Sequence, residues 1–340
     1  MACRPGIASF AAGGSCGEVE MRLLISGTCP AALNSNYGLL REITRGFEQL
    51  AAANGAAVEV RLVSLEALPA AIGHWRPAAT LLVGGLALDT IPLPLVRHGC
   101  DQVRSRLVFW SLEDPYELDC VLRQGHWFDL LLTSDAASRC FYPGDWTVQH
   151  LPLASADRPA PEPGQQLNHP ARWLFCGVPF SSRLQWLDGL VQACPEGLLI
   201  GPDWPDYPAP TRVRHQRIAP AVLQGLYAAL PLTLYLGRDL NLANAAGVMP
   251  STPGPRLFEC AGAGGRQLVC GAGLELERYY EPQQEVLVAA TLEEALEQLA
   301  WAAAHPEVLA ALGQRAWRRT QAEHLYRHRA GRLLSWLREL

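Results

Sequence analysis

Apolar residues along the chain fall into two alternating textures. Short, mostly apolar runs at 22–26, 80–83, 107–111 and 129–133 read as buried strands, because a strand covered on both faces shows little polar alternation, and 58–63 and 148–153, with polar residues among the apolar ones, read as further strands. Between the first two lies residues 36–54, where Leu39, Leu40, Ile43, Phe47 and Leu50 stand at helical spacing before the stop signal Gly55. Strands separated by helical stretches predict right-handed βαβ units in a mostly parallel sheet. The same texture resumes at 172–176, 198–200, 232–236 and 267–270, with helices expected at 182–194, 219–229, 292–305 and 307–337. In the last of these Trp317, Gln321, Leu325, Arg329, Leu333 and Leu337 follow at four-residue steps. Arg318, Arg319, Arg327 and Arg332 occupy its other faces, as a solvated surface or as a contact for anionic lipid or an acidic acceptor.

One stretch breaks the alternation. Residues 154–170 carry Pro159, Pro161, Pro163 and Pro170 and few large apolar side chains, which marks a linker. The expected organisation is a flexible tail over 1–20, a Rossmann-like domain over 21–155, a linker over 156–170, a second Rossmann-like domain over 171–315 and a terminal helix over 316–340. Residues 1–20 make a poor signal peptide, with one arginine and a weak apolar run, and Met21 opens what reads as a natural first strand.

Composition narrows the function classes. At 340 residues, with 49% hydrophobic and 18% charged residues, the chain can bury two cores. A net charge of −5 gives no footprint for non-specific nucleic-acid binding. No apolar run is long enough to span a bilayer, and the 10 cysteines are scattered without C-x-x-C spacing, as expected of reduced thiols in a cytoplasmic protein. His324 and His328 stand at i, i+4, but without H-E-x-x-H or a third ligand in view, and no metal is expected.

The most informative stretch is 250–269, PSTPGPRLFECAGAGGRQLV. Pro250, Pro253 and Gly254 forbid regular helix before Pro255, and Pro255 suits a helix start. Gly262, Gly264 and Gly265 then end the helix. Free N–H groups and the helix dipole at such a start favour a phosphate, and Arg256 adds a fork of donors. Glu259, one turn in, is an acceptor for a sugar hydroxyl. An ordinary capped helix fits the same composition.

The run R-L-F-E-C-A-G-A-G-G-R-Q-L-V at 256–269 resembles the donor-site element of the CgeB-like, spore-maturation-protein-like glycosyltransferases. Residues 226–242, 279–288 and 323–329 resemble further segments of that family, and W-S-L-E-D-P-Y at 110–116 resembles its N-domain E-D-P element. The resemblance implies a GT-B fold: α/β, two Rossmann-like domains facing across a cleft, with the nucleotide sugar held mainly by the second and a C-terminal helix crossing back onto the first. It implies that Glu259 meets the ribose and Arg256 the diphosphate, beside the backbone of Gly254, Gly264 and Gly265. Many retaining relatives carry Glu-x7-Glu. Glu259 matches the second glutamate, and the first position is Ser251.

Four further groups are candidates. Gly177, Ser182 and Arg183 follow the first strand of the second half, where α/β sheets bind ligands; Ser181 or Ser182 suits a helix cap and Arg183 a second diphosphate contact. Trp204, with Arg217 and Ile218, is a candidate base-binding group on a proline-rich loop. Gly27 and Thr28, with Tyr37 and Gly38, would line the N-domain side of the cleft. Glu113 and Asp114 end a strand, and either suits a base that takes a proton from an acceptor hydroxyl. Asp135 is a further candidate of that kind.

The reading is a metal-independent glycosyltransferase with no cofactor beyond a UDP- or dTDP-linked sugar and an acceptor on a protein, glycan or lipid-linked component. A peripheral membrane contact is the further partner expectation, and nucleic acid is not expected. The alternatives are a non-catalytic nucleotide- or sugar-binding protein on the same scaffold and a nucleotide-sugar epimerase.

Overall fold

The apolar runs assemble into two separate parallel sheets, each of six strands. A computed structural model describes residues 21–33, 36–54, 58–85, 88–159, 169–238 and 242–340; the expected tail (1–20), the stop signal Gly55 and most of the expected linker (160–168) lie outside the described residues. The first sheet has the order β2 (Val58–Val63), β1 (Met21–Gly27), β3 (Ala79–Gly84), β4 (Arg106–Ser111), β5 (Leu130–Thr133), β6 (Val148–His150). The second runs β12 (Leu287–Ala289), β11 (Gln267–Cys270), β10 (Leu232–Leu236), β7 (Trp173–Cys176), β8 (Gly197–Ile200), β9 (Arg212–Arg214). Among the described residues every strand pairing is parallel. β9 and β12, three residues each, carry too little apolar signal to stand out in the sequence.

Helices cover both faces of the first sheet. α1 (Tyr37–Asn54) buries Leu40, Ile43 and Phe47 on one side, while α2 (Leu68–Trp75), α3 (Leu93–Val103) and α4 (Leu118–Gln124) cover the other. The second sheet is flanked by α5 (Ser181–Ala193), α6 (Pro220–Ala229), α7 (Pro255–Gly262), α8 (Leu292–Ala304) and α9 (Pro306–Glu323).

The chain crosses between the sheets at two adjacent points. The helix expected over 307–337 is two helices: α9 ends at Glu323 and α10 spans Tyr326–Glu339. The four-residue stripe hides the break because Leu325 and Arg329 are buried on either reading. At the break, Ser155 donates its N–H to the His324 carbonyl and accepts from the Tyr326 N–H, so the outgoing and returning segments pair. α10 then lays Tyr326, Ala330, Leu333, Leu334 and Leu337 onto the first core. Gly46 on α1 permits that contact, since a Cβ there would sit 2.6 Å from the Tyr326 carbonyl carbon.

A third connection was not legible in the sequence. Residues 242–252, although they follow β10, dock on the first sheet. Val248 enters its core, in the cluster that also holds Leu118 and Tyr142. Leu242 and Ala243 donate to the Tyr116 carbonyl, and the Asp119 carboxylate accepts from the Ala245 N–H at 2.8 Å.

Candidate active site

The carboxyl ends of β7 and β10 are neighbours in space although the chain leaves them in opposite directions across the sheet, the point where α/β sheets open a crevice. Facing them are the turns after β4 and β5. A cavity of about 290 Å³ lies between, lined by Glu113, Tyr116 and Ser134 from the first half and by Gly177, Arg238 and Arg256 from the second, among others.

Its floor is the loop 250–254 entering α7. Asp135, 2% exposed, holds that loop. One carboxylate oxygen accepts from the Ser251 N–H (2.7 Å), the Thr252 N–H (2.8 Å) and the Ser251 hydroxyl (3.2 Å); the other accepts from the N–H and hydroxyl of Ser138 (2.9 and 3.0 Å). The Ser251 hydroxyl also accepts from the Ala137 N–H, so the position matching the first glutamate of Glu-x7-Glu is a strut between the halves. Asp135 is thus a positioning residue and not an exposed base.

Pro255 starts α7 as expected. The Gly254 N–H is taken by the Tyr235 hydroxyl at 2.6 Å, and the Leu257 N–H by the Gly254 carbonyl, so the helix start offers an anion the Arg256 N–H, the Arg256 guanidinium and the dipole. Arg256 is exposed, lines the cavity and touches one carboxylate, Glu259, at 2.5 Å. That carboxylate and the burial around it act in opposite senses, and the carboxylate prevails, holding the guanidinium proton above its ordinary range. Glu259 stands behind Arg256 and is not part of the cavity wall.

A second guanidinium bridges the halves. Arg238 pairs with Glu113 across the cleft and lies over the Tyr116 ring, 3.8 Å from its centroid. Sequence reasoning missed it; an arginine directly after a strand and a glycine at a carboxyl edge was the available signal. Glu117, one turn beyond Glu113, is 3% exposed, and among the described residues neither of its carboxylate oxygens has a hydrogen-bond partner. Burial, then the Glu113 charge, pushes its pKa up to about 7.

The other expected site residues divide. Gly177 and Gly254 line the cavity, Ser182 lines an adjoining groove, and Glu113 reaches the cleft. Asp114 does not present a free carboxylate. It is buried, accepts from the Ser111 hydroxyl (2.7 Å) and the Tyr142 hydroxyl (2.5 Å), and burial raises its pKa. Arg183 lies at the cleft, but its guanidinium donates to the carbonyls of Gly237 (2.8 Å), Val178 (3.1 Å) and Leu236 (3.0 Å) and stacks on Phe175 and Phe180, so it braces the strand ends. Neither Ser181 nor Ser182 caps α5; Phe180 stands at the cap position without a side-chain bond.

Trp204 is buried in the second core. Its indole N–H donates to the Gly177 carbonyl at 2.9 Å, and its ring meets Phe175 edge-on, so it is not a stacking platform for a base. Arg217 and Ile218 lie away from the cavity, Ile218 packing toward α6. Gly264 and Gly265 sit at the far end of α7. Gly264 has φ +72° and ends the helix, and a Cβ on Gly265 would meet the Cys260 sulfur at 2.4 Å, so both are packing positions. On the N-domain side Asn36 and Leu39 form the wall, while Tyr37 and Gly38 point to solvent. Gly27 ends β1, and the Thr28 hydroxyl fills the space a side chain on Gly84 would need.

Residues 183–335 match a family model described as Glycosyl transferase-like. Among solved structures, the chain is similar to Anabaena HepE in complex with UDP, with 12% identity, 94% of this chain and 100% of that one covered, and a TM-score of 0.60. It is also similar to sucrose-phosphate synthase of Thermosynechococcus elongatus (13% identity, 94% and 98% covered, TM-score 0.61). A third is AviGT4, a glycosyltransferase involved in avilamycin A biosynthesis (13% identity, 94% and 97% covered, TM-score 0.55). No curated protein sequence matches the chain significantly. At these identities the likeness concerns the fold, and the chain has the GT-B architecture of two facing Rossmann-like sheets.

Proposed function

We propose that this chain is a CgeB-like glycosyltransferase that takes a sugar from a nucleoside diphosphate, UDP- or dTDP-linked, and passes it to a hydroxyl acceptor on a protein, glycan or lipid-linked component. The observation that carries the reading is the exposed Arg256 guanidinium at the start of α7, in a cavity where the carboxyl edges of two parallel sheets meet. The Glycosyl transferase-like match over 183–335 covers that helix and supports it, as does UDP bound in the structure of Anabaena HepE.

In this reading the diphosphate lies against Arg256 and the α7 dipole, and the sugar extends toward Glu113 and Tyr116. The bond between the anomeric carbon and the diphosphate oxygen breaks as the acceptor oxygen forms its own bond to that carbon. The leaving diphosphate keeps the electron pair, and Arg256 offsets its charge, the dominant electrostatic contribution in such a transfer. The acceptor proton passes to Glu113, the cleft carboxylate of the predicted pair, once Arg238 turns from Glu113 toward the donor. The Asp135 strut keeps the donor loop in register, so little reorganisation is needed when the donor arrives.

Thermal stabilisation by UDP or TDP tests the binding half of the proposal, and nucleotide release from UDP- and dTDP-sugars tests the transfer half. Arg256→Ala is expected to weaken the stabilisation strongly and to abolish nucleotide release, while leaving the fold intact. A protein that binds neither nucleotide overturns the reading. One that binds but releases nucleotide from no donor leaves the non-catalytic alternative standing.

A further inference from the structure

A second cavity, of about 830 Å³, opens on the seam where the chain crosses between the two halves. Its wall combines the end of α1, the segment after β6, Arg278 and Tyr279, the end of α9 and the first turns of α10. Four arginines line it: Arg278, Arg327, Arg329 and Arg332. Two are neutralised, Arg278 by Glu275 at 3.0 Å and Arg327 by Asp157 at 2.7 Å. Glu323, the one carboxylate in the wall among the described residues, is engaged by Arg319 at 3.4 Å.

Arg329 and Arg332 have no carboxylate partner among the described residues. Arg329 is 4% exposed, and its guanidinium donates to the carbonyls of Pro152 (2.9 Å), Glu323 (3.0 Å) and Leu153 (3.1 Å). Those bonds satisfy its geometry but not its charge. Burial first, then the neighbouring Arg332, pulls its pKa down to about 10. Arg332 is exposed at the rim, 5.2 Å over the Trp336 ring. A guanidinium held out of water without a counter-charge is costly, and an anion placed against it removes that cost.

Burial lowers the pKa of all three histidines of the wall, His150, His324 and His328, so they add little charge. His150 and His324 are buried enough that their pKa falls to about 4, so both are neutral at pH 7. His324 spends its Nε2–H on the Tyr279 carbonyl at 2.9 Å. His150 reaches through to the other cavity. Its Nε2 lies 3.1 Å from the Thr252 hydroxyl, which also accepts from the Ala136 N–H, and His150 also bonds the Ser134 backbone. Thr252 and Ser134 both line the cleft, so one imidazole separates the two cavities.

We propose that this seam cavity is a second anion site, for the phosphate or diphosphate group of a small molecule or lipid headgroup, held by Arg332 and Arg329 and separate from the donor cleft. The occupant neutralises the two unpaired guanidiniums. It also bridges α10, which belongs to the first core, and residues 278–279, which belong to the second half, so its binding favours the closed arrangement of the cleft. The site stands on its own residues and does not depend on the donor reading.

The probe is inorganic pyrophosphate, titrated calorimetrically into the full chain. Two binding events are expected. Arg256→Ala removes one and Arg332→Ala weakens the other about tenfold, the loss of one charge-assisted contact. Arg332 is exposed, so its variant is expected to fold as the wild type does, and a far-UV spectrum checks this. Co-sedimentation with phosphatidic acid vesicles against phosphatidylcholine vesicles distinguishes the sources. Capture by the acidic vesicles that is lost in Arg332→Ala assigns the site to a headgroup, and pyrophosphate binding without capture assigns it to a soluble phosphate. Failure of both probes to respond to Arg332→Ala overturns the second site whether or not the Arg256 site is occupied.

Discussion

Replacing Asp135 with alanine is the most informative single perturbation of the cleft. Its buried carboxylate accepts five hydrogen bonds, three of them from the main-chain N–H groups of Ser138, Ser251 and Thr252. Alanine leaves those three donors without acceptors. A buried unsatisfied donor costs about 1–3 kcal/mol, but the losses are not additive and water refills part of the gap, so the expected destabilisation is about 3–5 kcal/mol. Against a typical total of about 5–15 kcal/mol the variant remains folded at low temperature. Asp135→Asn keeps the shape and one acceptor oxygen but turns an NH₂ toward half of the donors, and is expected to lose roughly half as much. The assay is urea unfolding together with UDP affinity, measured by calorimetry at a temperature where every variant is native. Affinity is expected to fall at least about tenfold in Asp135→Ala, because the loop before α7 must then be ordered at the expense of binding. An Asp135→Ala protein within about 1 kcal/mol of wild type, with unchanged affinity, would refute the strut.

Other outcomes follow from the same geometry. Arg256→Ala is expected to weaken UDP binding by about 2–3 kcal/mol, the scale of a charge-assisted contact, with unfolding unchanged within about 0.5 kcal/mol because the side chain is exposed; calorimetry and urea melts check the two halves. Glu117 has a folded pKa of about 7, raised above the ordinary carboxylate value. Its native state therefore holds a proton that the unfolded chain releases, and stability is lost as pH rises from about 4.5 through about 7. Glu117→Gln removes that loss, so urea melts are expected to show the variant stabilised relative to wild type at pH 8, by on the order of 1–3 kcal/mol, and little changed at pH 4.5. Gly46→Val forces α1 away from the Tyr326 backbone and is expected to cost about 1–3 kcal/mol, visible as a Tm several degrees lower.

Most strands were legible because parallel strands covered on both faces write themselves as short apolar runs; β10 and β11 begin and end where the pattern places them, as does β2, whose Val58, Val60 and Leu62 alternate with Glu59 and Arg61. The start of α7 was legible for a similarly local reason, a proline after a glycine. What the sequence hid is what depends on distant partners. Arg183 and Arg256 look alike in one dimension, yet one spends its guanidinium on three carbonyls while the other pairs with Glu259 and stays exposed at the cavity. Trp204 reads as a loop aromatic until Phe175 and the Gly177 carbonyl enclose it. The Gly264 and Gly265 pair resembles a phosphate loop in composition, but it follows its helix, where positive φ and close packing are what glycine supplies. Asp135 and Ser251 are separated by 116 residues, and neither carries a local sign that they meet. The break at His324 was masked because the stripe of buried positions runs through it in phase.

The claim on which the account rests is that a diphosphate docks at the start of α7. A crystal structure of the full chain soaked with UDP tests it directly. The account predicts diphosphate oxygens within hydrogen-bond reach of the Arg256 guanidinium, between the ends of β7 and β10. UDP bound elsewhere, with Arg256 still turned only to Glu259, would contradict it.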